Sequence, residues 1–333
     1  METSPSPRHS APWWALLIVG FLCGLLIPMA CGNASGPTVP AEADGTPSQQ
    51  PQWTAPYVPA EMVFADEKVD LRRSDLHERM DRELITFTYG HTLTMLMLKR
   101  ANRFFPIVEP ILREEGIPDD LKYLMVIESN LVPTIKSPAG AMGLWQFMPA
   151  TGREMGLEVN ANIDERCHVE KATRAACRYL RKLHAQCGDW MTVCASYNAG
   201  PAGIASRSQT QKADNALDLL LVEETSRYMF RVMACKQIFE HPRLYGFHLA
   251  ASDLYPYIAP AETVTVTATI DDLPTFARDH GCTFAQLIEA NPWLRETSLQ
   301  NKSGRTYKIL IPDTAALNYD PTRTSAYHHE WVE

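Results

Sequence analysis

The chain has 333 residues, enough for two domains with tails, and its 45% hydrophobic and 21% charged content is ordinary globular usage, which argues against wholesale disorder. With 31 Lys+Arg against 39 Asp+Glu the formal charge is −8, so gripping nucleic-acid phosphates is not its main work. No run of five like charges occurs, which excludes acidic or basic tails.

Residues 13–27 (WWALLIVGFLCGLLI) form an uncharged apolar run, closed by Pro28 and followed by the small residues Ala30, Cys31 and Gly32. That pattern predicts a secretory targeting segment over residues 1–31, and hence export. Cys31 after Ala30 resembles a bacterial lipoprotein cleavage site, at which the cysteine is lipidated; the other reading makes it the end of an uncleaved anchor. Residues 32–60, rich in Pro, Ala, Thr, Ser and Gly, read as an extended tether. Beyond them stand Cys167, Cys177, Cys187, Cys194, Cys235 and Cys282. Export permits disulfides, but a chain this long can bury its thiols as small hydrophobes, and reduced core cysteines are the favoured expectation. There is no CxxC and no His/Cys cluster at metal spacing, so neither metal nor cofactor is implied.

From residue 69 to 240 the apolar spacing is helical. An early pair of helices divides around Gly90, another runs over 105–115 and closes at Gly116, and the next is capped by Asp119 or Asp120 and carries LKYLMVIES. Further helices are expected over 170–185, 190–198 and 225–240, making residues 61–250 an all-helical domain. After Pro260 the pattern changes. A β-branched strand (262–267), two short helices (273–280 and 284–290) and a strand (307–311) predict a βααβ module over 261–313. The tail, 314–333, shows no pattern.

On the helix that ends at Ser129, Leu121, Leu124, Met125 and Glu128 fall at i, i+3, i+4 and i+7, which puts one carboxylate on the apolar face. A carboxylate goes there when it is paired or functional, and desolvation would raise its pKa as a general acid requires. The plainer reading is a structural Glu. Downstream, in SPAGAMGLWQFMP, small residues allow a close approach to the backbone, while Gln146 and Met148 offer amide and apolar surface suited to a sugar. Trp145 by itself reads as core. In SYNAG a helix stops at Gly200, and Tyr197 and Asn198 can reach a cleft.

GIPDDLKYLMVIES, SPAGAMGLWQFMPATG, NANIDER and SYNAG, in this order, resemble the lytic murein transglycosylases of the soluble-transglycosylase type, above all the membrane-bound lytic transglycosylase D group, over residues 64–245. The resemblance implies a mainly α, goose-lysozyme-like domain that cleaves the MurNAc-β-1,4-GlcNAc bond of peptidoglycan and leaves 1,6-anhydro-MurNAc ends. It implies Glu128 as the catalytic acid/base and Ser137, Gln146, Met148, Tyr197, Asn198, Glu224 and Tyr228 as substrate-binding residues. Ile135 departs from the pattern where a small residue is common, and His168 is assigned to structure. Asp164 and Glu165, beside Arg166, read as a salt-bridged loop rather than a second catalytic carboxylate. The C-terminal unit resembles a degenerate LysM module, with IDDLPTFA, NPWL and LIP as its matching segments; it would bind glycan, or else pack as a structural lid. The partners implied are glycan strands and, through Cys31, the outer membrane of a Gram-negative bacterium as seen from the periplasm; no nucleic acid is implied. The competing functions are a lysozyme-like hydrolase and a non-catalytic peptidoglycan-binding lipoprotein.

Overall fold

The computed structural model describes residues 54–332; Cys31, the expected targeting segment and most of the expected tether lie outside them. The described chain is mainly α. In order it runs β1 (Glu61–Phe64), β2 (Glu67–Asp70), α1 (Ser74–Tyr89), α2 (His91–Glu114), α3 (Lys122–Ser129), α4 (Pro149–Glu154) and α5 (Val169–Cys187). It continues with α6 (Trp190–Ala199), α7 (Pro201–Gln211), α8 (Glu223–Glu240), β3 (Pro260–Val266), α9 (Leu273–Asp279), α10 (Phe284–Ala290) and β4 (Tyr307–Pro312).

The β1–β2 hairpin is absent from the sequence reading. Its strands pair antiparallel with Glu61 opposite Asp70, and Ala65 and Asp66 both take left-handed φ, 51° and 66°. That is the type I′ signature, here without the glycine that usually announces it. The turn is held because Asp120 Oδ2 accepts the Ala65 N–H at 2.7 Å. Asp120 therefore does not cap α3, which has no side-chain cap; its other oxygen takes Lys236 Nζ at 2.7 Å.

The helices expected on either side of residue 100 are one helix. α2 runs unbroken through Pro106 and Pro110. Each proline removes one backbone hydrogen bond, but Phe104, Phe105, Val108, Ile111 and Leu112 are buried along this stretch, and packing holds the helix. α3 is the central helix. Residues 122–127 and Ser129 are all buried, so it is apolar all round rather than striped, and it packs between α2 and α8. Asn130 ends it in the left-handed conformation, at φ 50°.

One core joins the helices α1–α8 around Phe105, Leu124, Phe230 and Phe239. The second belongs to the βααβ module, whose strands pair antiparallel with a bulge between Pro260 and Glu262. Its Leu273, Leu287, Trp293, Tyr307 and Ile309 share that core with Met142, Ile163 and Cys167 of the helical domain. The six described cysteines are unpaired and all but Cys187 are buried; burial pushes the thiols of Cys167 and Cys177 up to about 12.

Two segments to which the sequence assigns no packed element, the end of the expected tether and the patternless tail, are packed. Residues 54–60 lie on the helical domain, where Tyr245 donates to the Tyr57 carbonyl at 2.8 Å and Leu71 N–H to that of Ala60 at 2.8 Å. The C-terminal tail returns to α2 and α8. Trp331 is 2% exposed and its Nε1 donates to the Phe239 carbonyl at 2.8 Å. Tyr327 and His328 reach the buried Glu109 carboxylate at 3.0 and 2.8 Å, and Lys122 reaches it at 2.6 Å. Burial alone would raise Glu109, but these partners outweigh it and draw the carboxyl down to about 2.

Candidate active site

Glu128 sits in the last turn of α3, and α8 lies across it. Glu224, Tyr228 and Arg231 recur on α8 at i, i+4 and i+7, which is one helix face. The buried Tyr228 hydroxyl donates to Glu128 Oε1 at 2.6 Å. Burial pushes the Glu128 carboxyl above its usual range and the charge of Glu224 adds to the push; the Tyr228 hydrogen bond and the Arg231 charge pull the other way. Tyr197, in the last turn of α6, donates to the Trp145 carbonyl at 2.6 Å. Its phenol is raised well above the normal value, first by burial and then by the negative charge of Glu128. Glu128, Tyr197, Tyr228 and Glu224 thus meet electrostatically in one place.

The loop 137–148 is stapled to itself. Ser137 Oγ accepts the Ala141 N–H at 3.0 Å, and the Ser137 N–H donates to the Ala141 carbonyl at 2.9 Å. Gly143, at φ +87°, lies so close to residue 166 that a Cβ there would come within 1.9 Å of the Arg166 carbonyl oxygen. Gln146 has φ 48°, and its Nε2 bonds the carbonyls of Ile135 and Gly143 at 3.1 and 2.9 Å. A left-handed non-glycine costs roughly 1–2 kcal/mol. Those two hydrogen bonds offset it, but they also commit the amide nitrogen that was expected to meet sugar. Trp145 is fully buried, with Nε1 on Thr173 Oγ1 at 3.0 Å; Met148 is 42% exposed. Of the expected binding residues on this loop, Met148 is the most open, Ser137 and Gln146 are half-buried, and neither of these two is bonded to Glu128.

Asn198 and Glu224 line a cleft of ≈ 280 Å³ with Ala199, Arg207, Leu221 and Val222. Glu128 does not line it and connects to it through the charge of Glu224. The acidic loop is salt-bridged but not exposed: Asp164 and Arg166 pair at 2.7 Å with both side chains buried, and Glu165 pairs with Lys171. His168 stacks on Trp293 at 5.8 Å, and burial depresses its imidazole to about 4. Ile135 contributes its carbonyl to the loop, accepting Gly143 N–H at 3.1 Å. Among the described residues, no three His, Cys, Asp or Glu side chains converge as a metal site would. Sequence reasoning missed Arg231, which the i+7 spacing from Glu224 could have shown, and read Arg166 only as the partner of the acidic loop, not as the donor to the Gly140 and Phe147 carbonyls.

Residues 106–219, which hold Glu128, Ser137, Gln146, Met148, Tyr197 and Asn198, match the transglycosylase SLT domain, and residues 262–315 match the soluble lytic transglycosylase C-terminal LysM-like domain. The chain carries an SLT domain and a LysM-like domain. Over 183 residues it is 30% identical to membrane-bound lytic murein transglycosylase D of Escherichia coli K12, covering 54% of this chain and 40% of that protein. Over 84 residues the chain is also 37% identical to the peptidoglycan transglycosylase of Escherichia phage T7, covering 25% of this chain and 6% of the phage protein. The chain thus spans well under half the length of these relatives. Among solved structures, the 70 kDa soluble lytic transglycosylase of Escherichia coli aligns at 21% identity with a TM-score of 0.36, over 41% of this chain and 24% of that one.

Proposed function

We propose that this chain is a peptidoglycan lytic transglycosylase in which Glu128 serves as the single acid and base. The SLT domain and the kinship to murein transglycosylases support the reading. The observation that carries it is a half-buried carboxyl at the end of α3, raised in pKa by desolvation, with a tyrosine hydroxyl on one oxygen at 2.6 Å.

Protonated Glu128 donates to the glycosidic oxygen between MurNAc and GlcNAc as the C1–O bond breaks. Paired-carboxylate glycosidases would now use a second carboxylate as nucleophile or base. Here the only other carboxylate on the α8 face is the exposed Glu224, so the substrate's own N-acetyl carbonyl stabilises the cation at C1. The ionised Glu128, held by Tyr228 and the Arg231 charge, takes the proton of the C6 hydroxyl. That oxygen attacks C1 and closes the 1,6-anhydro ring, and the proton count returns to its start. Asn198 and Glu224 hold sugar in the cleft and Met148 packs against it, while Tyr197 fixes the loop 137–148 through the Trp145 carbonyl. Ser137 and the free Oε1 end of Gln146 contribute polar edges.

The chain is exported and acts in the bacterial envelope, lipidated at Cys31 and facing the periplasm from the outer membrane, with the LysM-like domain contacting glycan. Incubating purified sacculi with the parent and with Glu128→Gln tests the catalytic claim. Release of soluble muropeptides should fall by roughly 10²–10⁴-fold, the usual contribution of a general acid. Undiminished release would defeat it.

A further inference from the structure

Beyond the connecting segment 241–259, the LysM-like domain is joined to the SLT domain by backbone and buried groups. Asp164 N–H donates to the Trp293 carbonyl at 2.9 Å and Arg295 N–H to the Asn162 carbonyl at 3.0 Å, while Ile163 and Leu294 form a β-bridge between them. Asn162 closes the junction with both ends of its amide. Nδ2 donates to the Ser298 carbonyl at 2.8 Å, and Oδ1 accepts the Gln300 N–H at 2.9 Å. Tyr307 donates to Glu158 Oε2 at 2.8 Å, and His168, Trp293 and Tyr307 stack in sequence at 5.8 and 5.7 Å.

On the other side of the same loop, Asp164 grips Arg166 with both oxygens, at 2.8 and 2.7 Å. Arg166 Nη1 then donates to the carbonyls of Gly140 and Phe147 at 2.9 and 2.8 Å, clamping the two ends of the turn that contains Trp145. The Trp145 carbonyl takes the Tyr197 hydroxyl. A continuous series of short bonds therefore runs from Trp293 to the neighbours of Glu128.

We propose that the LysM-like domain is a fixed brace of the reaction centre, and that Asn162, Arg166 and Trp293 are positioning residues for the reaction at Glu128. This rests on the transglycosylase reading above. A tethering domain raises the local concentration of polymer and leaves the chemistry alone. A brace sets the geometry of the loop, and a displacement near 1 Å at a reacting centre costs up to ~10²-fold in rate. The groups engaged suit rigid positioning: backbone amides, a buried ion pair and an aromatic stack, to which the half-exposed Arg305 adds only long contacts, 3.8 Å, with Glu158 and Glu165.

The test uses the full chain and two substrates: intact sacculi, and a soluble peptidoglycan tetrasaccharide long enough for the reaction centre alone. In Asn162→Ala and in Arg166→Lys, which keeps the charge but has one nitrogen and so cannot hold both Asp164 oxygens and the Gly140 and Phe147 carbonyls together, kcat on the tetrasaccharide should fall roughly 10- to 100-fold with KM unchanged. Trp293→Phe, which retains a stacking ring, should recover most of what Trp293→Ala loses. Unchanged kcat on the tetrasaccharide with weaker binding to sacculi would make the domain a tether and overturn the proposal. Amide hydrogen exchange over residues 140–148 reads the brace without any turnover. Faster exchange in folded Asn162→Ala is expected, and unchanged exchange would refute the brace. If the parent turned over neither substrate, the transglycosylase reading would fail while the exchange result still decided this one.

Discussion

Burial raises the carboxyl of Glu128 and the hydroxyl of Tyr228 lowers it, and burial wins. The sign of that balance makes two effects measurable. Below the ordinary pKa of 4.5, Glu128 is protonated folded or unfolded and costs nothing; above it the fold resists the charge, and the cost grows until the raised pKa is passed. Glu128→Gln should therefore melt with the parent at pH 4 but at a higher temperature than the parent at pH 8, as thermal scans at the two pH values would show. Tyr228→Phe removes a donor that favours the ionised form. The alkaline limb of the pH–rate profile should move to higher pH, and the rate at neutral pH should fall roughly 10-fold or more, the worth of a hydrogen bond to a charge. At this scale the sequence was informative, because an acidic residue at i+7 from Leu121 on an apolar face marks itself. It could not show that the Gln146 amide nitrogen is spent on Ile135 and Gly143, since that depends on a left-handed backbone at residue 146.

Among the elements, the helices with an apolar stripe and a glycine or capping stop were legible, and α5 and α6 differ from expectation only at their ends. Packing overrode local signals elsewhere. The helices expected before and after residue 100 are one, α2, continuous through Pro106 and Pro110, and Asp120 reads as a cap but holds the hairpin turn. α7 and the hairpin went unread because one carries a single buried residue, Ile204, and the other has strands of four residues. The loop 137–148 has its own strict requirement. Gly143→Ala puts a side chain at φ +87° and a Cβ within 1.9 Å of backbone that Arg166 and Asp164 hold in place. The conformation alone costs roughly 1–2 kcal/mol, and the clash adds to it. Chemical denaturation should show a loss above about 2 kcal/mol, with activity falling further as the loop shifts.

At the scale of the whole molecule, three long-range unions shape the chain: residues 54–60, the C-terminal tail and the LysM-like domain all pack on the helical domain. The first two were not legible, because they are made by backbone carbonyls and isolated side chains that carry no periodic pattern, whereas packing of the LysM-like module as a structural lid was the second of its two sequence readings. The tail is the clearest case, since Trp331 is the one tryptophan of a patternless stretch yet packs beside Phe105 and Phe239. Trp331→Ala should cost about 3–5 kcal/mol, the usual range for truncating a buried Trp, and free the tail to proteolysis. Wild-type resistance in that variant would show that the tail contributes little.

The central claim, that one carboxyl acts in turn as acid and base while the substrate closes on itself, is tested most directly by the fate of water. Sacculi digested by the purified protein in water labelled with heavy oxygen, with the products resolved by mass, should yield 1,6-anhydro ends that carry no label. Labelled reducing ends at C1 would mean that water attacks the sugar, and would contradict the account.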